Sequence, residues 1–271
     1  MDRGGKQAPA QGNLSAVSLL AEILARKHSE LAALRTRELP SPPERRRVAL
    51  ARVDNAGRLS LIAEIKRRSP SAGALSTVLS VAERAAAYER AGASMLSVLC
   101  DAHFFDGAYE HLQQARAASS LPLLCKEFVI DEAQLDAARA FGADAVLLIV
   151  RCLSAERTSE LIARAKEREL IPFVEIATEQ ELDVALDGGA ELIGVNARDL
   201  DTLAMDADRA ARVLSAIPDG CVRVHLSGLS RPEDVARVRE TKADAALLGE
   251  ALMRADDPEP LLRGLVRAAR A

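Results

Sequence analysis

The sequence predicts one α/β domain, a closed (β/α)₈ TIM barrel, preceded by an N-terminal helical extension. Eight short apolar runs alternate with helical stretches from residue 61 onward, and successive runs begin about 20 to 35 residues apart. That spacing leaves room for one helix and two turns, which is typical of a parallel sheet covered by helices. Eight such units favour closure into a barrel over an open sheet.

The eight predicted strands share a continuous apolar character and are LIAEI at 61, MLSVL at 95, LPLLC at 121, AVLLIV at 145, IPFVEI at 171, LIGVN at 192, VRVHL at 222 and AALLG at 245. A Rossmann-like open sheet would also alternate strands with helices. However, no GxGxxG motif follows the first strand, so the barrel is preferred.

The chain ahead of the barrel divides into two parts. Residues 1–12 are polar and rich in Gly, Gln and Pro, which predicts a disordered N-terminus. Residues 13–60 begin with helical apolar periodicity and are predicted to form the helical extension. Residues 61–271 are then predicted to form the barrel domain.

Composition excludes several functional classes. With 271 residues and a formal net charge of -4, the chain lacks the basic character expected of a nucleic-acid-binding protein. It has neither a long apolar span nor an apolar leader, so we expect no membrane partner and a cytoplasmic location. Its four cysteines have no zinc spacing, so we predict reduced core residues and no metal.

The first strand and its loop, LIAEIKRRSPSAG from residue 61, contain charged residues within and directly after an apolar run. Alternation places Ile62, Glu64 and Lys66 on one face of this strand. Charged side chains are seldom buried without partners, so the pair indicates either an internal ion pair or a wet catalytic pocket. The RRSPSAG segment is predicted to be a mobile loop over that pocket.

Polar side chains also follow other strands, and a barrel gathers its strand ends at one mouth. Lys126 ends the third predicted strand, Glu175 the fifth and Asn196 the sixth, with Arg198 close behind. Two lysines and two carboxylates at one mouth could transfer protons, and we expect pairing and partial burial to bring their pKa values towards neutrality.

Glycines near the end of the chain indicate a phosphate site. Gly228, next to Ser227, follows the seventh strand, and Gly249 follows the eighth; each is predicted to open a helix whose backbone N–H groups bind a dianion. Lys66 could supply a countercharge. The alternative is that both are ordinary turn glycines.

The chain resembles the indole-3-glycerol-phosphate synthase family. The resemblance begins near residue 14 and rests on the segments IAEIKRRSPSAG at 62, LSVLCDAHFFDG at 96, KEFVID at 126, FVEIATEQEL at 173, IGVNARDLDTL at 193, LSGL at 226 and LLGEALMRADDP at 247. It implies cyclisation of 1-(2-carboxyphenylamino)-1-deoxyribulose 5-phosphate with loss of carbon dioxide and water. It implies no cofactor and no metal, and a small phosphorylated substrate as the partner of a monomer or weak homo-oligomer.

The resemblance also implies roles for individual residues. Lys126 is the general acid for the substrate carbonyl. Glu175 and Glu64 act as acid and base, while Lys66 bridges the substrate carboxylate or phosphate and Asn196 orients the substrate. The remaining positions contact substrate: Ser69, Arg198, Ser227, Gly228 and Gly249 lie around the phosphate and other polar groups, and Phe105 and Phe128 line the pocket for the aromatic ring.

The chain departs from the family pattern at Leu226, where the family usually has Glu, at His225, where a small residue is common, and at Glu127, where Asp is expected. Two alternatives stay open. Leu226 suggests a divergent or non-catalytic paralogue that binds a phosphorylated ligand. Another phosphosugar TIM-barrel enzyme, such as an isomerase, would use a Cys and Asp pair that is not evident at the first and fifth strand ends.

Overall fold

The structure is a computed structural model that describes residues 18–48, 59–199 and 204–271. The N-terminus predicted to be disordered, 1–12, lies outside the described residues. So do residues 13–17 and 49–58 of the predicted extension, and the boundary between extension and barrel at residues 60 and 61 stays a prediction.

The strands of the described residues are β1 Ser60–Ile65, β2 Arg68–Ser69, β3 Gly73–Ala74, β4 Met95–Leu99, β5 Leu123–Lys126, β6 Ala145–Ile149, β7 Ile171–Ile176, β8 Leu192–Asn196, β9 Val222–Leu226 and β10 Ala245–Leu248. Eight of them form a closed barrel in the order β1, β10, β9, β8, β7, β6, β5, β4, and β4 pairs back onto β1. Every pair in the barrel is parallel. The predicted (β/α)₈ barrel is confirmed, with all eight apolar runs as its strands.

The helices of the described residues are α1 Leu19–Thr36, α2 Val81–Ala91, α3 Ala102–Phe105, α4 Glu110–Ala118, α5 Glu132–Ala140, α6 Ala155–Glu167, α7 Glu179–Asp187, α8 Ala207–Ala216, α9 Pro232–Arg239, α10 Glu250–Arg254 and α11 Glu259–Arg270. A 3₁₀ turn also covers Val150–Cys152. No helix within these ranges is both long and apolar enough to cross a bilayer.

Each barrel strand sends alternate side chains inward and outward. In β1, Ile62 belongs to the apolar cluster inside the barrel, whereas Leu61, Ala63 and Ile65 belong to the layer between the sheet and the helices. The alternation predicted for this strand is therefore confirmed, and it directs Glu64 into the barrel interior.

The loop after β1 contains a feature that sequence analysis did not predict. β2 and β3 pair antiparallel, with Ser69 opposite Gly73, so the RRSPSAG segment carries a short ribbon. Gly73 has φ of 68°, in the left-handed region that glycine adopts without steric cost. The mobility of this loop stays a prediction.

The described part of the N-terminal extension spans the barrel from one end to the other. At the mouth, Leu20 and Ile23 of α1 pack into the apolar cluster inside the barrel. At the opposite end, the backbone N–H of Arg46 donates to Asp144 Oδ1 at 2.7 Å, and Asp144 directly precedes β6. The side chain of Asp144 is fully buried and also accepts from the N–H of Leu123 at 2.9 Å.

Gly194 in β8 is required by packing inside the barrel. A Cβ atom there would lie 2.5 Å from Cε1 of Phe173 and 2.7 Å from Cδ1 of Leu226, and both of these side chains are buried. Phe173 is fully buried and does not line the cavity, so any larger residue at position 194 forces the interior to rearrange.

We therefore expect Gly194→Ala to lower the free energy of unfolding by about 1–3 kcal/mol, the usual cost of overpacking. Urea denaturation followed by circular dichroism would measure the change. Gly220→Ala is the matched control because a Cβ at Gly220 meets nothing within 4 Å. The double variant Gly194→Ala with Phe173→Leu should recover part of the loss. Equal stability of the two single alanine variants would contradict this packing argument.

Candidate active site

The carboxyl ends of the barrel strands surround a cavity of about 480 Å³, within the usual size range of a small-molecule site. All the site residues predicted from the sequence line this cavity, namely Glu64, Lys66, Ser69, Phe105, Lys126, Phe128, Glu175, Asn196, Arg198, Ser227, Gly228 and Gly249. The structure thus brings the predicted residues together. Their roles in binding and catalysis stay predictions.

The charged side chains at the mouth form two ion pairs. Nζ of Lys66 lies 2.8 Å from Oε1 of Glu64, and Nζ of Lys126 lies 3.2 Å from Oε2 of Glu175. Both carboxylates are almost fully buried, whereas the two lysines are partly exposed to the cavity. Each lysine can therefore meet a ligand while its carboxylate partner stays in place.

Asn196 links the second ion pair to the next strand end. Its Nδ2 donates to Oε1 of Glu175 at 2.8 Å, and its Oδ1 accepts from Oγ of Ser227 and from the backbone N–H of Arg198, each at 2.9 Å. These bonds fix the orientation of the Asn196 amide and connect the ends of β7, β8 and β9.

Burial and pairing compete in setting the pKa values at the mouth. Burial alone would raise the pKa of Glu64, but the charges of Lys66 and Lys126 outweigh it and hold that pKa below its ordinary value. Burial would likewise lower the pKa of Lys126, but Glu175 and Glu64 outweigh it and hold that pKa above its ordinary value. The expectation that pairing brings these pKa values towards neutrality is therefore wrong for both residues. Opposite charges favour the ionised forms more strongly than burial disfavours them.

The glycines proposed for the phosphate site adopt special backbone geometry. Ser227 and Gly228 have φ values of 73° and 80°, both in the left-handed region, which is unusual for Ser. Gly249 allows close approach to the first ion pair, since a Cβ there would lie 2.5 Å from Oε1 of Glu64. Gly249 directly precedes α10, as predicted, but α9 begins only at Pro232, so the prediction that Gly228 also opens a helix is wrong.

The opposite side of the cavity is apolar. The rings of Phe105 and Phe128 lie with their centroids 6.0 Å apart, and both line the cavity. Leu20 and Ile23 of α1 extend this wall. The cavity therefore combines an apolar wall with charged groups on several strand ends, which suits a ligand that has an aromatic part and an anionic part.

Sequence analysis missed some residues that line the cavity. Arg254 of α10 lies there and pairs with Glu250 at 2.9 Å. The i,i+4 spacing of Glu250 and Arg254 predicts an ion pair on one face of a helix, so the sequence contained a signal for this contact. Leu20 and Ile23 were also missed as cavity residues, although the apolar periodicity of their helix was visible. Only the docking of α1 across the mouth, which depends on distant contacts, gives that helix a place in the cavity wall.

Leu226 lies inside the barrel, where it is buried in the apolar cluster and lines the cavity. His225 points to the other side of the sheet and contacts the carbonyl of Ser227 through Nε2 at 3.1 Å. Burial lowers the pKa of this imidazole. The departure at Leu226 therefore places an apolar side chain next to the charged network. The departure at His225 lies on the face of β9 that points away from the barrel interior.

No group of three or more His, Cys, Asp or Glu side chains suited to hold a metal ion occurs in the described ranges. The polar groups that face the cavity are instead arranged as ion pairs and as hydrogen bonds to an amide.

Solved structures of other proteins share the fold. Thiamine phosphate pyrophosphorylase from Pyrococcus furiosus superposes with a TM-score of 0.59 at 19% identity and covers 80% of this chain and 98% of its own. A 3-hexulose-6-phosphate synthase superposes with a TM-score of 0.61 at 16% identity, with coverage of 78% and 99%. At such identities the likeness shows the barrel fold alone.

Sequence comparison is more specific. The chain is 43% identical over 242 residues to the indole-3-glycerol phosphate synthase of Parafrankia sp. (strain EAN1pec), which covers 89% of each chain. It is 42% identical over 210 residues to the enzyme of Mycobacterium leprae (strain Br4923), covering 78% of this chain and 77% of that one. It is 45% identical over 208 residues to indole-3-glycerol phosphate synthase 2 of Streptomyces coelicolor, covering 77% and 81%. A family model described as indole-3-glycerol phosphate synthase matches residues 20–265, and the chain belongs to that family.

Proposed function

We propose that this chain is an active indole-3-glycerol-phosphate synthase. Its substrate would be 1-(2-carboxyphenylamino)-1-deoxyribulose 5-phosphate, which it cyclises with loss of carbon dioxide and water. Family membership supports the reaction, and the paired Lys126 and Glu175 at the mouth are the observation that carries the mechanism. The cavity also has an apolar wall for an aromatic ring and polar groups for two anionic ends.

Ring closure needs an acid at the ketone of the substrate. The aromatic carbon that bears the carboxylate attacks the ketone carbon, and Lys126 donates a proton to the ketone oxygen as the new C–C bond forms. Carbon dioxide then leaves, and the electrons of its bond restore the aromatic ring. A lysine whose pKa is held above its ordinary value stays protonated at neutral pH, so Lys126 has a proton to donate when the substrate binds.

Dehydration needs an acid and a base. The hydroxyl group formed from the ketone leaves as water after it accepts a proton, while a carboxylate removes a proton from the carbon beside the ring nitrogen. Glu64 is suited to the basic role because the charges of Lys66 and Lys126 keep its pKa low and its carboxylate ionised. Glu175, which contacts both Lys126 and Asn196, is placed to exchange protons with Lys126.

Binding energy comes from parts of the substrate that do not react. Phe105 and Phe128 form an apolar wall for the aromatic ring, while Lys66 bridges the substrate carboxylate or phosphate. Around the phosphate, the proposed contacts are Ser69, Arg198, Ser227, Gly228 and Gly249. Such remote contacts hold the attacking carbon near the ketone and so lower the barrier to ring closure.

We further propose a cytoplasmic enzyme that works as a monomer or weak homo-oligomer on a small phosphorylated molecule. Size-exclusion chromatography with light scattering would test the oligomeric state.

A steady-state assay of the purified protein with the proposed substrate, followed by the absorbance and fluorescence of the indole product, tests the function. The apolar Leu226 favours the second candidate, a paralogue that binds phosphorylated ligands without turnover. Folded protein that binds inorganic phosphate but forms no indole product would support that candidate instead.

We expect Lys126→Met to lower kcat about 10³-fold, because the variant keeps the length of the side chain but cannot donate a proton. Single-turnover kinetics would separate this loss from slow product release. Lys166→Met is the matched control, since Lys166 is an exposed lysine of α6 outside the cavity. Retention of more than about a tenth of the wild-type kcat by Lys126→Met would exclude Lys126 as the general acid.

We expect Glu175→Gln to move the alkaline fall of kcat, plotted against pH, to lower pH. Glu175 raises the pKa of Lys126, so its removal lets burial lower that pKa and the acid loses its proton earlier as pH rises. Rates measured from neutral pH to the alkaline limit would show the shift. The control is Glu167→Gln, an exposed glutamate of α6. An alkaline limb that stays in place in Glu175→Gln would disprove this coupling.

A further inference from the structure

A lysine on α1 lies at the centre of a buried cluster of charges behind the apolar wall of the cavity. Nζ of Lys27 lies 2.6 Å from Oδ2 of Asp101, 3.1 Å from Oε1 of Glu127 and 2.9 Å from Oε2 of Glu30. Lys27 is 3% exposed, Asp101 is fully buried and Glu127 is 4% exposed. The ammonium group therefore forms ion pairs with three carboxylates, and its contact with Glu30 is also a hydrogen bond.

Asp101 connects this ammonium to the helix that carries Phe105. Its Oδ1 accepts from the backbone N–H of Phe104 at 2.6 Å, and its backbone carbonyl accepts from the N–H of Gly107 at 2.7 Å. These two bonds lie on either side of Phe105 in the chain, so Asp101 holds both ends of the short helix that carries this ring.

Glu127 connects the same ammonium to the end of β5. It directly follows Lys126, and its Oε1 accepts from the backbone N–H of Phe128 at 2.7 Å. Burial raises the pKa of Glu127 to about 7, with Asp101 adding to this effect, whereas the charge of Lys27 opposes it. Lys27 therefore helps to keep a carboxylate ionised between the proposed acid and the aromatic wall.

The third connection is α1 itself. Ile23 lies one turn before Lys27 on this helix, and Leu20 lies one turn earlier still; both contribute to the cavity wall. One buried ammonium group thus connects three parts of the cavity wall. These parts are α1, α3 with Phe105, and the end of β5 with Lys126 and Phe128.

We infer that Lys27 is a positioning residue for the cyclisation, because its contacts with Asp101 and Glu127 set where Lys126 and the two Phe rings meet the substrate. The inference rests on the proposed function. Lys27 does not line the cavity, so it would act through the three parts of the cavity wall that it joins. Small displacements of reacting groups cost rate steeply, and a shift of about 1 Å can cost about 100-fold.

The test compares Lys27→Met with Lys27→Arg in steady-state kinetics with the proposed substrate. We expect Lys27→Met to lower kcat and raise KM, each by about tenfold, because both the acid and the aromatic wall shift. Lys27→Arg, which keeps the charge and the donors, should recover most of kcat. A Lys27→Met enzyme with kcat and KM within about twofold of wild type would overturn the inference.

Two control variants separate positioning from loss of stability. Arg35→Met removes another tie between α1 and the barrel, the exposed pair with Asp131 at 2.7 Å, and should leave kcat and KM unchanged. Leu31→Ala removes a buried side chain from the same helix and should lower the melting temperature without the kcat loss. Equal losses of kcat in Leu31→Ala and Lys27→Met would show that only docking of α1 matters and would overturn the inference.

If Lys27→Met does not fold, Asp101→Asn decides the question with Lys27 intact, because Asp101 does not line the cavity. It keeps an acceptor for the N–H of Phe104 and removes one charge of the cluster, and we expect kcat to fall about threefold to tenfold. Unchanged kcat in this variant would overturn the inference.

A second measurement distinguishes failure of this inference from failure of the proposed function. A wild-type protein without turnover would refute the function. The position of the aromatic wall would then be read by fluorescence titration with anthranilate as the probe. Weaker anthranilate binding by Lys27→Met than by Arg35→Met would support the inference, and equal binding would overturn it.

Discussion

The mouth of the barrel depends on charges that compensate one another. Lys66 pairs with Glu64 and Lys126 pairs with Glu175, at the ends of strands whose inward faces are otherwise apolar. A buried charge without a partner costs several kcal/mol or changes its protonation state, so no member of the network can be removed without affecting the others. Pairing also holds the pKa of Glu64 below its ordinary value and the pKa of Lys126 above its ordinary value. Such fixed charges are the electrostatic preorganisation that the proposed proton transfers require.

The polar side chains at the mouth lie directly above a tightly packed apolar layer inside the barrel. Phe173, Gly194 and Leu226 fill the interior so tightly that a single Cβ atom at Gly194 has no room. Leu226 is part of this packing and contributes an apolar surface to the cavity. A close-packed interior is hard to deform, so the strand ends above it keep their positions. The precision of the polar network therefore comes in part from apolar contacts.

The N-terminal extension belongs to the site as well as to the scaffold. Its first described helix closes one side of the cavity with Leu20 and Ile23, while Arg46 is anchored at the far end of the barrel through the buried side chain of Asp144. Between these points, Lys27 joins the extension to the strand end that carries Lys126. Anchors at both ends restrict how far the helix can shift over the mouth. The extension can thus influence catalysis although it supplies none of the proposed acids or bases.

The sequence by itself determined the barrel, because the continuous apolar character of the eight runs and their regular spacing are local patterns. It also placed Glu64, Lys126, Glu175 and Asn196 at one mouth, since parallel strands bring their carboxyl ends together. Tertiary structure alone decided the rest. The direction of the pKa shifts of Glu64 and Lys126 depends on which charges face each other across strands, and no spacing along the chain encodes that balance between pairing and burial. The cluster around Lys27 was invisible for the same reason, because its members come from three elements that meet only when α1 docks on the barrel.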